Sequence, residues 1–227
     1  MCTVTYLPLG NTNFILTSNR DETPFRKTLP PKRYLENGIE LTYPKDALAG
    51  GTWIGFSEKK RLVCLLNGGF ETHERKAPYK MSRGVIVKKI LSEKNAVSFI
   101  HAFNFKGIEP FTLILVDWLE RLKTYELVWD GATTHFKELL QEPKIWSSSI
   151  LYTEDMKAVR KEWFADWLLK NQQFSEEKIL EFHRNENLGT KETSPKMKRA
   201  FVETVSITSV KKENKKVTMV YENLAGY

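Results

Sequence analysis

Short apolar runs with strand-like alternation are separated along the chain by two stretches of helical spacing. CTVTYLP and NFILTS read as two strands joined by the turn formers Gly10, Asn11 and Asn13. TWIGF and RLVCLL, on either side of the polar turn SEKK, read as a hairpin that stops at Asn67-Gly68-Gly69. FTLILVDW and TYELVWDG form another pair across a polar turn, and THFKEL and IWSSSILY are two further candidate strands. AFVETVSITSV and VTMVYENL flank the charged turn KKENKK at the end of the chain. Residues 23–47, with the proline-bearing TPFRKTLPPKRY, read as irregular.

Between these runs the apolar period lengthens. Val85, Ile86, Ile90, Val97, Ile100 and Phe103 fit helix over roughly 82–105. Val159, Trp163, Phe164, Trp167, Leu168, Ile179, Leu180 and Phe182 fit a second helical block over 154–184. Trp163 and Trp167 are four residues apart, which is the spacing of ordinary core packing. His101, inside an apolar helical run, is expected in the core or at its boundary, and Cys64 in RLVCLL reads as a buried small residue. This order of elements implies an α+β chain with helices packed on antiparallel sheet. Two sheets between helical layers would use every piece. No repeat or long linker divides the chain, so one domain over residues 1–227 is expected.

An apolar content of 41% supports a packed core and excludes wholesale disorder. The longest apolar runs are too short to span a bilayer as helix, and the N-terminus does not read as a secretory signal. With two cysteines in the chain, no disulfide framework is expected, and a cytoplasmic setting is the default. The net charge of +7 raises a nucleic-acid reading. The basic residues are interleaved with acids along the whole chain, however, and no reader motif accompanies them, so no nucleic-acid partner is expected. The histidines and cysteines show no zinc-ligand spacing, and no metal site is expected.

Chemistry enters at the second residue. If the initiator methionine is trimmed, Cys2 carries its thiol and a free α-amine on one residue. An α-amine, with a reference pKa of ~7.7–8, is substantially neutral near physiological pH and can accept a proton. A nucleophile with an attached base needs no separate histidine. Asn19-Arg20-Asp21-Glu22 follows directly on a strand; a carboxylate there can orient an amine, and a guanidinium favours a thiolate. The third feature is AGGTWIGF with CLLNGG, residues 49–69. Asn67 at a strand end could supply a side-chain amide, with the following backbone N–H groups, to an oxyanion. Each feature also has a bland reading as turn chemistry, a solvated ion pair or an incidental cysteine.

Together these features resemble the NRDE family, also called the transport and Golgi organisation protein 2 family. The resemblance is carried by Met1-Cys2-Thr3, Asn19-Arg20-Asp21-Glu22, Gly50-Gly51-Thr52-Trp53-Ile54-Gly55 and Leu66-Asn67, all within residues 1–70. It implies an N-terminal-nucleophile hydrolase-like fold, a four-layer αββα sandwich. It is also similar, more distantly, to the choloylglycine hydrolase and penicillin V acylase group, which begins Met-Cys and has an aspartate at the place of Asp21. The arginine of that group three positions earlier falls on Ser18 here, so Arg20 would have to act from a neighbouring position.

The resemblance implies Cys2, Asp21, Asn67 and Arg20 as catalytic residues, and Asn19, Glu22, Trp53 and His73 as residues lining the substrate. Two activities stay open at this stage. One is a cysteine amidohydrolase acting on non-peptide C–N bonds of a small molecule. The other is a haem or lipid carrier on the same scaffold, without hydrolysis. No cofactor is required by the first; haem is a candidate ligand for the second, with His73 the best-placed of the four histidines.

Overall fold

The computed structural model describes residues 3–225. The first elements are β1 (Thr3–Pro8), β2 (Phe14–Glu22), β3 (Thr28–Glu36), β4 (Ile39–Asp46), β5 (Ile54–Ser57) and β6 (Arg61–Asn67). Helices α1 (Arg83–Ser92) and α2 (Ala96–Ala102) follow, then β7 (Phe111–Asp117), β8 (Lys123–Trp129), β9 (Thr134–Leu139) and β10 (Lys144–Ser147). Helices α3 (Glu154–Lys170) and α4 (Glu176–His183) precede the closing hairpin of β11 (Glu203–Glu213) and β12 (Lys216–Asn223). The fold class is α+β, with two antiparallel sheets and four helices among the described residues. The chain divides into two compact units, residues 1–26 with 141–227, and residues 27–140.

The first unit holds a five-stranded sheet in the order β10-β1-β2-β11-β12. The tight turn at Gly10-Asn11 sets the β1–β2 register, so Thr3 lies opposite Asn19 and Thr5 opposite Thr17. Alternation then sends Leu7 and Ile15 to one face, where they pack with Ile145, Phe164, Ile179 and Phe182. Trp163 and Trp167 pack against this cluster as the helical spacing implies. Thr153 and Ser175 cap α3 and α4 by accepting backbone N–H bonds, and acidic residues occupy both first turns.

The second unit is a seven-stranded meander, β3 to β9 in chain order, so every strand pairs with its neighbours in sequence. Helices α1 and α2 pack Ile86, Ile90, Ala96 and Ile100 against Leu41, Val63, Leu65, Leu113 and Leu127 of the sheet. Residues 62–66 of β6 are all buried, which explains why RLVCLL reads as a continuous apolar run. Cys64 is fully buried in that strand as a reduced thiol.

Two expectations are corrected. Residues 23–47 are largely strand: β3 and β4 form a hairpin. Pro30 and Pro31 are tolerated because β3 is the sheet edge, mostly half-buried or exposed, with a register shift between Leu29 and Lys32. His101 is exposed on α2, its ring edge-on to Phe136 at 5.3 Å, so the apolar run around it belongs to the opposite side of the helix.

Candidate functional site

Cys2 lies outside the described residues; the residue bonded to it, Thr3, opens β1. The Thr3 hydroxyl accepts a short hydrogen bond from Arg160 Nη1 on α3. Arg160 is 1% exposed and spends its other donors on backbone carbonyls, Nε and Nη2 on Thr193 at 3.0 and 2.9 Å and Nη2 on Ser194 at 2.6 Å. Its guanidinium carbon stands 3.7 Å from the centre of the Tyr152 ring. Stacking on an aromatic face is a favourable setting for a desolvated guanidinium.

The Tyr152 hydroxyl donates to Asp21 Oδ2 at 2.9 Å, and the Thr204 hydroxyl donates to Asp21 Oδ1 at 2.6 Å. Asp21 is buried near the end of β2, directly opposite Thr204 of β11. Both carboxylate oxygens therefore have a donor, and the group is fixed in orientation. Tyr152, Arg160 and Thr204 are the members that sequence reasoning missed. Their signal was weak, because they are 131 to 183 residues from Asp21 in the case of Tyr152 and Thr204. For Arg160, the only sequence cue was a cation inside a helical block otherwise rich in apolar residues.

Asn19, on the same face of β2 as Asp21, is completely engaged within the unit. Its Nδ2 donates to the carbonyls of His183 at 3.0 Å and Pro195 at 2.7 Å, which fixes Oδ1 as the acceptor from His183 Nδ1 at 2.6 Å. His183 Nε2 is then the acceptor for the Thr5 hydroxyl at 2.8 Å. The imidazole is held in one neutral tautomer, and burial with the nearby Arg160 charge lowers its pKa to about 3. Asn19 thus ties β2 to the end of α4.

Arg20 and Glu22 alternate to the other face. Arg20 is buried, 3.9 Å from Glu22 and 3.4 Å from the Arg26 carbonyl. Glu22 also pairs with Arg26 at 3.1 Å.

The remaining sequence-assigned residues belong to the second unit. Asn67 ends β6, opposite Phe111 and half-buried. The Gly68 N–H that follows donates to the Pro110 carbonyl at 3.0 Å and is thereby engaged within the unit. Trp53 is buried, and its carbonyl accepts from Leu65 N–H at 2.8 Å. His73 stands 3.5 Å from Glu109, which also pairs with Arg83 at 3.2 Å. Among the described residues no group of histidine, cysteine and acidic side chains is placed to hold a metal.

Of the glycines of AGGTWIGF, Gly51 and Gly55 serve close approach, Gly51 to helix α1 and Gly55 to both β4 and α1, whereas Gly50 has open space and a positive φ. A Cβ on Gly51 would lie 2.7 Å from the Gly84 backbone, and one on Gly55 would meet Tyr43 and Leu91 at 2.9 and 3.1 Å. The Thr52 hydroxyl donates to the Pro44 carbonyl at 2.6 Å and locks the turn.

The model of one family, described as Transport and Golgi organisation 2, matches residues 1–223. The chain belongs to that family. No curated protein matches it in sequence. Among solved structures, a Caenorhabditis elegans ortholog of N-acylethanolamine-hydrolyzing acid amidase is similar with a TM-score of 0.61 at 12% identity, over 92% of each chain. The C2A mutant of conjugated bile acid hydrolase from Clostridium perfringens is similar with a TM-score of 0.57 at 11% identity, over 100% of this chain and 94% of that one. A second variant of the same hydrolase gives 0.55 at 11% identity, over 99% and 94%. These likenesses show an N-terminal-nucleophile hydrolase-like fold.

Proposed function

We propose that this chain is a cysteine amidohydrolase that cleaves a non-peptide C–N bond of a small acyl-amide. The observation that carries the reading is the fixed carboxylate of Asp21, held by Tyr152 and Thr204, in the unit where Arg160 pins Thr3. The fixed Asp21 carboxylate is the group this mechanism asks to hold an amine base in orientation, and such orientation is worth much of a barrier. Support also comes from the fold, which is similar to that of an N-acylethanolamine-hydrolyzing acid amidase ortholog and of a conjugated bile acid hydrolase.

In this reading the Cys2 sulfur attacks the amide carbonyl while its α-amine takes the thiol proton. Collapse of the tetrahedral intermediate breaks the C–N bond, and the α-amine returns the proton to the departing amine. Water then attacks the thioester with the same amine as base, releasing the acid and restoring the thiol. Asp21 orients the α-amine, Arg20 favours the thiolate, and the Asn67 amide is the assigned oxyanion donor.

The test combines mass and turnover. Intact-mass measurement should show loss of Met1, and a panel of acyl-amides should yield an acyl adduct on residue 2 that Cys2→Ala abolishes. Saturable binding of haem or lipid, with no turnover of any panel member by the trimmed protein, would overturn the reading in favour of a carrier.

A further inference from the structure

A cavity of about 270 Å³ opens in the second unit at the start of β6. Arg61, the first residue of β6, lines it and is 2% exposed. Its guanidinium fastens the end of α1: Nη1 donates to the Ile90 and Glu93 carbonyls at 3.2 and 2.8 Å, and Nη2 to that of Lys94 at 3.3 Å. Asp117, opposite Arg61 on β7, stands 3.5 Å from its Nε and accepts the Leu119 N–H at 3.0 Å. The α1–α2 turn and the β7–β8 turn are thereby held against the strand ends, and the cavity they line is preformed.

The charged groups left over around this cavity are mainly cations. Lys94 and Arg121 are exposed and have no carboxylate partner among the described residues. Lys123 reaches Glu138 only at 3.9 Å. Asn95 spends Oδ1 on the Ser98 N–H at 2.9 Å, so its side chain still offers Nδ2, a donor alone. Asp117 is already matched to Arg61, which leaves Glu120 as the opposing carboxylate of the lining. Lys94 and Arg121 come from two turns that only the fold brings together, on a concave surface whose low-dielectric walls strengthen their summed field. The other side of the lining is apolar. Tyr125 is fixed by stacking on Phe136 at 5.2 Å, and Leu119 beside it in the lining is 53% exposed.

We propose that this cavity is a binding site for a small organic anion, an oxyacid head group carried on a compact apolar body. Lys94 and Arg121 take the head, with the Asn95 amide donating beside them, and the body packs on Tyr125 and Leu119. A cavity of about 150 Å³ holds one benzene ring, so this volume suits a body of one or two rings. The site goes beyond the amidohydrolase reading and does not depend on it. β6 runs from Arg61 at the cavity to Asn67, about 20 Å along the strand. A carboxylate and a phosphate monoester share the required head-group chemistry and differ in charge.

Calorimetric titration of the full chain with 1-naphthoate, 1-naphthyl phosphate and the neutral 1-naphthalenemethanol tests the site. At least one of the anions should bind saturably, ten-fold or more tightly than the alcohol, and the tighter of the two identifies the head group. In the double variant Lys94→Ala, Arg121→Ala that preference should fall at least ten-fold with the alcohol unaffected, because neither side chain has an ion pair in the fold to lose. Glu120→Gln removes the opposing carboxylate and should tighten the anion two-fold or more. Anion binding that the double variant leaves unmoved places the ligand elsewhere and overturns the proposal. Equal binding of the alcohol, or no binding of either anion, overturns it as well.

Discussion

Arg160 and Asp21 are joined through one aromatic ring: the guanidinium stacks 3.7 Å from the centre of Tyr152, and the Tyr152 hydroxyl donates to Asp21 at 2.9 Å. A cation and a carboxylate, both buried, are thereby placed in one network without a direct ion pair. The arrangement resolves two costs together. The guanidinium gains a π face and three carbonyl bonds, and the carboxylate gains two hydroxyl donors.

Tyr152→Phe removes the hydroxyl and keeps the ring under Arg160. A bond to a charged acceptor is worth about 1.5–3 kcal/mol, so urea unfolding should show a loss of that order. If Asp21 orients the base, turnover of acyl-amides should fall more than substrate affinity does, because the group acts in the transition state. Unchanged stability would mean that the Tyr152–Asp21 bond is not formed in solution.

Arg160→Lys tests the fork. A lysine ammonium can follow one of the Thr193, Ser194 and Thr3 acceptors, and it cannot stack flat on Tyr152. A hydrogen bond to a charged group is worth about 1.5–3 kcal/mol, and we expect the lysine variant, which cannot keep all of these bonds, to lose at least that much in urea unfolding. A lysine variant as stable as wild type would show that charge alone, and not the planar fork, is what α3 contributes.

His183 gives the stability a pH signature. Its folded pKa is lowered to about 3 from an ordinary 6.5, by burial first and by the Arg160 charge second. Between these values the unfolded chain binds the proton and the folded chain does not, so stability is complete well above pH 6.5 and falls as pH drops through 6.5 toward 3. The slope from one such group is about 1.4 kcal/mol per pH unit. Urea unfolding at pH 6.5 and pH 5, where most carboxylates are still ionised, should therefore show a fall of about 1.6 kcal/mol that a His183→Gln variant lacks. An identical slope in the variant would place the titration elsewhere.

The packing of α1 is equally exposed to test. A methyl at Gly51 would sit 2.7 Å from the Gly84 backbone, where no flexible side chain can yield. Gly51→Ala should cost about 1–3 kcal/mol through this overpacking. An alanine variant of wild-type stability would show that α1 can shift on its sheet.

Much of this structure was legible in advance because each hairpin carries its own pattern. CTVTYLP with NFILTS, TWIGF with RLVCLL, and the closing pair around KKENKK are local, and alternation plus turn residues specify them. The β3–β4 hairpin was hidden by Pro30 and Pro31, since proline argues against a strand unless the strand is known to be an edge, and edges are a tertiary property. The site divides in the same way. Asp21 was readable from its motif, whereas Tyr152, Arg160, Thr204 and His183 converge on β1 and β2 from the far end of the chain, a distance over which single-sequence patterning carries no register. The motif also concealed a division of labour: Asn19 binds inward to His183 and Pro195, while Arg20 turns to the other face.

The two cysteines offer the final test, because their settings differ as far as settings can. Cys64 is fully buried within β6, among Leu62, Val63, Leu65 and Leu66, and a thiol in apolar surroundings is both inaccessible and biased against the reactive thiolate. Cys2, if it is the nucleophile, must be reachable by substrate, and a free α-amine and Arg20 would both favour its thiolate. Under native conditions near neutral pH, iodoacetamide should therefore add a single equivalent, mapped to residue 2, with Cys64 labelled only on unfolding. The rate should follow a thiolate that is substantially formed below the ordinary cysteine value of about 8.5, and a chain that retains Met1 should react more slowly because its base is an amide. Labelling of Cys64 at a comparable rate in the folded protein, or no difference between trimmed and untrimmed chains, would remove the case for an activated residue 2 and with it the amidohydrolase reading.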